Sequence, residues 1–223
     1  MIIIEQLFKF IAPHDCINCQ KEGRLLCRTC SIGMRVVHGR CYKCHRVSRY
    51  GKTCSDCSQQ SVLRYVWART AYNQAAKKVI HELKFNHARD VAELMAEEMT
   101  TLLPRLPANV LIVHVPTASS RVRLRGFDQS ALIARELSRL MSLRHMHLLG
   151  RVGQQRQVGA SHMERHSQMQ NVFRPLSSVV IEGSRIILVD DVLTTGSTLE
   201  AAARTLKEAG AKSVDAIVFA RAE

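Results

Sequence analysis

All eight cysteines lie between Cys16 and Cys57, and none occurs in the 166 residues that follow. They form four Cys-x-x-Cys pairs: Cys16/Cys19, Cys27/Cys30, Cys41/Cys44 and Cys54/Cys57. Such a turn places two sulfurs on one side of a tight backbone loop, which is half of a tetrahedral thiolate site. Four turns therefore supply two complete sites. Disulfides would require an oxidising compartment, but the apolar segment Met1–Ala12 is broken by Glu5 and Lys9 and makes a poor secretion signal. Redox chemistry gives no reason for four pairs in a row. The core argument points the same way. Residues 13–60 hold only ten apolar side chains besides cysteine, and no Phe, Trp or Ala. A segment of that composition needs an external staple, and a four-thiolate zinc site stabilises small finger peptides by about 10–16 kcal/mol. The simplest grouping is sequential, Cys16/19/27/30 and Cys41/44/54/57, although an interleaved one also satisfies the spacing. With four protein ligands each, the two zinc sites read as structural, and His45 as a bystander.

The end of the cysteines is a composition boundary. It predicts a small zinc-ribbon domain over residues 1–60, led by a short apolar docking helix, and a second domain over 61–223, with the junction in Ser58–Ser61. Past the junction, Val62–Tyr72 reads as a short strand pair. Val79, Ile80 and Leu83, then Val91, Leu94, Met95, Met99 and Leu102, recur at helical steps. Asn86 is placed to cap the second half, and Pro104 and Pro107 to close it. Val110–Val115 is a buried strand ended by Pro116. Ile133, Leu137, Leu140 and Met141 form an amphipathic face. Residues 150–172 are polar and aperiodic, and read as a mobile loop. Arg185–Val189 and Val214–Phe219 are further strands, flanking a helix with Leu199, Ala202, Ala203 and Leu206 on one side. Strand, loop, helix and strand at this spacing predict an α/β fold with a parallel sheet.

The most informative stretch is Ile186–Leu199. An apolar strand delivers Asp190 and Asp191 at its C-terminal end, where α/β folds bind ligands. Thr194, Thr195, Gly196, Ser197 and Thr198 then open a helix. Backbone N–H groups at a helix start, together with hydroxyls, cradle a phosphate, and adjacent carboxylates accept hydrogen bonds from ribose hydroxyls. A capped helix alone, with Thr194 or Thr195 as cap, explains one hydroxyl rather than four. No Walker A lysine or Gly-x-Gly-x-x-Gly run is present, so nucleoside triphosphate and dinucleotide sites are unsupported.

This stretch resembles the signature for 5-phosphoribosyl-1-pyrophosphate (PRPP) of type I phosphoribosyltransferases. The resemblance implies that Thr194–Thr198 hold the 5-phosphate, that Asp190 and Asp191 meet the ribose hydroxyls, and that Mg²⁺ accompanies the pyrophosphate. Over nearly its whole length the chain is similar to the ComF family, phosphoribosyltransferase-like proteins with zinc ribbons associated with competence and DNA uptake. Tyr72, Lys84-Phe85, Val115-Pro116, Arg121-Val-Arg-Leu-Arg125-Gly-Phe-Asp128-Gln129, and Gln157 followed by Arg165 and Phe173 carry that likeness. Asp128, Gln154 and Gln168 depart from the family's usual Asn, Thr and Asn.

Arg121, Arg123 and Arg125 alternate, so an extended chain would aim all three one way, toward pyrophosphate or DNA phosphates. Gln157 and Arg165 fall in the 150–172 loop, which is placed to close over the ligand. The formal charge is +13, and residues 121–174 hold ten arginines, no lysine and three acids. A basic surface attracts polyanions, and the ComF resemblance implies single-stranded DNA and DNA-uptake or recombination proteins as partners beside PRPP. With few aromatics a stacking-based mode is weak. No stretch reaches membrane-spanning length, and cytoplasmic residence is expected. Two functional classes follow: an enzyme transferring a phosphoribosyl group to an unidentified acceptor, and a non-catalytic PRPP-responsive DNA-binding protein or regulator. No general base stands out.

Overall fold

The computed structural model describes residues 15–34, 37, 39–86, 88–152 and 172–222. The leading apolar segment and the loop residues Gln157 and Arg165 lie outside the described residues. In chain order the elements are α1 (Arg28–Gly33), a 3-10 turn (Arg49–Gly51), α2 (Ser55–Ser58), β1 (Leu63–Ala71), α3 (Gln74–Phe85), α4 (Ala88–Thr100), β2 (Val110–His114), α5 (Ser119–Arg125), α6 (Gln129–Met141), β3 (Arg144–Met146), β4 (Leu149–Arg151), β5 (Phe173–Pro175), α7 (Ser178–Ile181), β6 (Arg185–Leu193), α8 (Ser197–Glu208) and β7 (Ser213–Arg221).

Five strands form one parallel sheet in the order β1-β7-β6-β2-β3, while β4 and β5 pair antiparallel beside it. Strand periodicity sorts the core into two layers. On β6, Ile187 and Val189 join a cluster with Val79, Leu83, Met95, Met99, Ile133 and Leu137 of α3, α4 and α6. Ile186 and Leu188 face the other way, into a cluster with Leu199, Ala202, Ala203 and Leu206 of α8. Both faces are covered, which is why these strands read as continuous apolar runs rather than alternating ones.

Between β2 and β6 the chain changes direction across the sheet. β2 leads outward to β3 through α6 on one face, and β6 leads to β7 through α8 on the other. Helices diverging from neighbouring parallel strands leave a crevice outside the strands' carboxyl ends, the place where open α/β sheets hold ligands. Asp190 and Asp191 on β6 and the β2–α5 connection border it.

Several expectations are revised. Val62–Tyr72 yields one long edge strand, β1, because it pairs with β7 along nearly its whole length. Asn86 closes α3 instead of starting α4; its N–H bonds to the Glu82 carbonyl. The cap that works here is Asn73, whose side chain accepts from Ala76 N at the start of α3. The segment taken as loop from residue 150 begins with ordered strand, β4, which pairs with β5. No helix among the described residues is long and apolar enough to cross a membrane.

Candidate functional site

The cysteines gather sequentially. Cys16, Cys19, Cys27 and Cys30 form one group and Cys41, Cys44, Cys54 and Cys57 another, with all sulfurs of a group within 4.8 Å of one another. The interleaved grouping is thereby set aside. Burial resists ionisation of Cys16, but backbone N–H groups of Cys19, Cys27 and Asn18 outweigh it and draw the thiol down to about 6. Cys41 is drawn to about 6 by Cys44, Cys54 and Lys43 backbone groups against the same opposition. Burial and hydrogen bonding to Cys54, Cys44 and Cys41 push Cys57 up to about 12. A quartet that favours one thiolate and resists another is the situation a divalent cation resolves, since thiolate is the ligand form. Four sulfurs without a nitrogen or oxygen donor fit zinc, and either group could hold it.

Both clusters pack against the elements that follow them in the chain. Cys16, Leu26 and Met34 enter the α3–α4 core. Arg69, nearly buried, pairs with Glu98 at 2.6 Å and also donates to the carbonyls of Met34 and Ser31. The second cluster lies along β1, with Thr53 N donating to Arg64 O and Thr53 Oγ1 to Leu63 O.

At the crevice, Asp190 and Asp191 sit within β6 itself, which runs on to Leu193. Ser130 Oγ donates to Asp190 Oδ1 at 2.8 Å, and Asp191 N donates to the same oxygen at 2.9 Å. Burial first, and the neighbouring Asp191 charge second, push Asp190 up to about 8 despite these bonds. Lys84 Nζ lies 3.5 Å from Asp191 Oδ2. Beyond them Gly196, at φ 81°, is the N-cap of α8 and has no side chain to cap it; Ser197 N makes only a long contact, 3.4 Å, to Thr195 Oγ1. Thr194, Thr195, Ser197 and Thr198 are exposed around it, with Thr195 Oγ1 and Ser197 Oγ 2.9 Å apart. The uncapped N–H groups and the surrounding hydroxyls leave donors free for an anion.

The arginines depart from the extended arrangement expected of them. Ser119–Arg125 is a helix, ended by Gly126 in the left-handed conformation. At 100° per residue Arg121 and Arg125 share a side and Arg123 does not. Arg121 and Arg123 are exposed. Arg125 turns back, its guanidinium 5.6 Å from the Phe85 ring centroid, and Phe85 is the neighbour of Lys84. Arg125 therefore joins the acid pair through adjacent residues of α3. Its buried Nε, and the buried Nε2 of Gln129, have no hydrogen-bond partner among the described residues. Two orphaned donors beside the crevice fit an anionic ligand better than a solvated basic edge. On the same side, Asp128 accepts from Thr117 N and Oγ1 at 2.8 and 2.9 Å and caps α6 at Ala131 N, fixing the β2–α5 connection.

Sequence reasoning assigned no role to Ser130, Lys84 or His114. Ser130 gives no signal, since only the fold brings helix α6 under β6. Lys84 stood in the Lys84-Phe85 element without a partner to name. His114 ends β2, buried, with His145 Nε2 3.0 Å from its Nδ1 and the His147 ring 4.8 Å away. Burial holds His114 down at about 4.

Residues 128–223 match the phosphoribosyl transferase domain family. With the switch-point crevice, the acid pair and the hydroxyl loop, they define a phosphoribosyltransferase-like domain, here carrying two four-cysteine clusters of zinc-ribbon type. The chain is 26% identical over 212 residues to "Competence protein ComFC" of Bacillus subtilis, covering 90% of this chain and 86% of that protein. It is 29% identical over 219 residues to "DNA utilization protein YhgH" of Escherichia coli K12, covering 85% and 93%. The solved "structure of the allosteric regulatory enzyme of purine biosynthesis" overlaps 61% of this chain and 29% of its own, at 20% identity and a TM-score of 0.42. Over most of its length the chain is thus similar to competence and DNA-utilization proteins.

Proposed function

We propose that the protein binds Mg-PRPP in the β2–β6 crevice and transfers the phosphoribosyl group to an acceptor, releasing pyrophosphate, in a process linked to DNA uptake or use. One observation carries the reading: two adjacent carboxylates on β6 lead directly into an uncapped helix start ringed by hydroxyls. Thr194–Thr198 would receive the 5-phosphate, and Asp190 and Asp191 would accept from the ribose hydroxyls. Arg125 and Gln129 supply unpaired donors for pyrophosphate oxygens. Mg²⁺, when bound with the ligand, neutralises charge on those oxygens. The protein's part is positioning and electrostatic stabilisation. Zinc would be held by Cys16/19/27/30 and Cys41/44/54/57 as a structural ion. The link to DNA rests on the names of the relatives.

The test is calorimetric titration of Mg-PRPP into zinc-loaded protein and into Asp190→Asn/Asp191→Asn. Saturable binding lost in the double variant is expected; no binding by the folded wild type overturns the proposal. A second reading, a PRPP-responsive single-stranded-DNA-binding protein, is favoured by the exposed Arg121 and Arg123 beside exposed Leu124 and Phe85. It predicts DNA binding that weakens steeply with salt and no pyrophosphate release with any acceptor.

A further inference from the structure

We infer that Tyr42, in the Cys41-x-x-Cys44 knuckle, is a positioning residue for the phosphate loop, so that the cation site of Cys41, Cys44, Cys54 and Cys57 sets the geometry at the start of α8. This rests on the PRPP reading of that loop. Tyr42 is 3% exposed and belongs to the α8-side core. Its ring lies against Gly196. A Cβ there would meet Tyr42 Cε2 at 2.9 Å and Cδ2 at 3.1 Å, so glycine serves this position twice, for its positive φ and for the room the ring needs. The Tyr42 hydroxyl donates to Glu200 Oε1 and lies 2.6 Å from Ser61 Oγ. Burial, then Glu200, keep the phenol protonated.

Glu200 is in the first turn of α8, and its N–H bonds to Gly196 O at 2.9 Å. A free carboxylate there would compete with an incoming phosphate for the positive end of the helix. Instead Tyr42 holds Oε1, and Val62 N approaches Oε2 at 3.4 Å, so the acid is turned onto the knuckle and the β1 entry. The knuckle is itself fixed from below. The buried Arg221, at the end of β7, donates to the carbonyls of Cys41 and Tyr42 at 3.0 and 3.1 Å. From thiolate ligand to phosphate loop the path is Cys41, its neighbour Tyr42, then Gly196 and Glu200. The four-cysteine unit thereby acts as a brace for the ligand loop, beyond closing its own small fold.

The experiment is hydrogen exchange over residues 194–200 of the full-length zinc-loaded protein. It compares wild type, Tyr42→Phe, Tyr42→Leu and wild type after chelation, with zinc content and Mg-PRPP affinity measured alongside. Loss of one buried hydrogen bond is expected to speed exchange of the loop amides several-fold in Tyr42→Phe, and loss of the ring to speed it about tenfold or more in Tyr42→Leu, with α4 amides unchanged and zinc retained. Mg-PRPP should bind the two variants correspondingly more weakly, and chelation should reproduce the Tyr42→Leu change over residues 194–200 while also loosening the α3–α4 side, where the first cysteine group packs. Unchanged loop exchange in Tyr42→Leu with zinc bound overturns the inference. If wild type itself fails to bind Mg-PRPP, the PRPP reading falls, while the exchange data still decide whether Tyr42 holds the loop.

Discussion

Lys84 of α3 and Asp191 of β6 face one another at 3.5 Å, their side chains 24% and 19% exposed. The ammonium is the near cation of an acid pair. Removing one partner of a buried pair leaves an uncompensated charge. Lys84→Met should therefore cost about 1–2 kcal/mol of stability at pH 8, between the loss for an exposed pair and that for a fully buried one, with a smaller loss at pH 5, where Asp190 is protonated. Denaturant unfolding at the two pH values measures this; equal losses would show that the pair is not electrostatically coupled.

Asp190 and His114 together predict the pH profile of stability. Asp190 is raised from the usual carboxylate range to about 8. Between roughly pH 4 and 8 the folded state holds a proton that the unfolded state has lost, so stability falls as pH rises. His114 is lowered to about 4. Between roughly pH 4 and 6.5 the unfolded state holds a proton the folded state lacks, so stability rises with pH. The two slopes oppose each other up to about pH 6.5, above which the His114 contribution is complete and the Asp190 decline continues against a rise from the lowered thiols of Cys16 and Cys41. Asp190→Asn should remove that decline and uncover the His114 rise at acid pH. Thermal melts of both proteins from pH 4.5 to 8.5 give the comparison.

How much of this was visible before folding depends on whether a residue's partner lies near it in sequence. The cysteine quartets, the β6 acids and the Thr194–Thr198 loop are each contiguous signals, and their residue types already imply their chemistry. The opposed layers were also legible, since Ile186–Val189 is apolar at every position. Ser130, Lys84 and Tyr42 act on partners 60 or more residues away (Asp190, Asp191 and Glu200), and no local pattern marks them. The arginines failed for a different reason: alternation in sequence was read on a strand period, and the segment is helical, which turns Arg125 inward onto Phe85. A shared core also explains why the cysteine units read as too poor in apolar residues: Cys16, Leu26, Met34 and Tyr42 complete their burial against the strands and helices after residue 60.

Metal content gives a direct prediction. Two groups of four thiols should bind two zinc ions per chain, with Zn–S distances of about 2.3 Å by X-ray absorption. Cys27→Ser should leave one ion and loosen the α3–α4 side, because Cys16, Leu26 and Met34 sit in that core. Cys54→Ser should also leave one ion but loosen the β1 side. Elemental analysis with hydrogen exchange separates the two; a variant that keeps both ions would refute the grouping.

The three arginines of α5 should behave differently from one another. Arg121 and Arg123 are exposed, so alanine at either should cost little stability. If they contact DNA phosphates, each substitution should reduce the slope of log affinity against log salt by about 1. Arg125 is packed on Phe85 and carries a buried, unpaired Nε. Its replacement by alanine removes both that contact and the unpaired donor, and on the proposed reading should weaken Mg-PRPP binding at least tenfold, about 1.4 kcal/mol or more, with little change in the DNA salt slope. Arg125→Lys should not rescue it, because an ammonium cannot reproduce the planar stack on Phe85 or the Nε donor. Calorimetry with Mg-PRPP and fluorescence titration with labelled single-stranded DNA, run on all four variants, assign the helix. If Arg125→Ala flattens the salt dependence and leaves Mg-PRPP affinity untouched, α5 belongs to a nucleic-acid surface and not to the phosphoribosyl site.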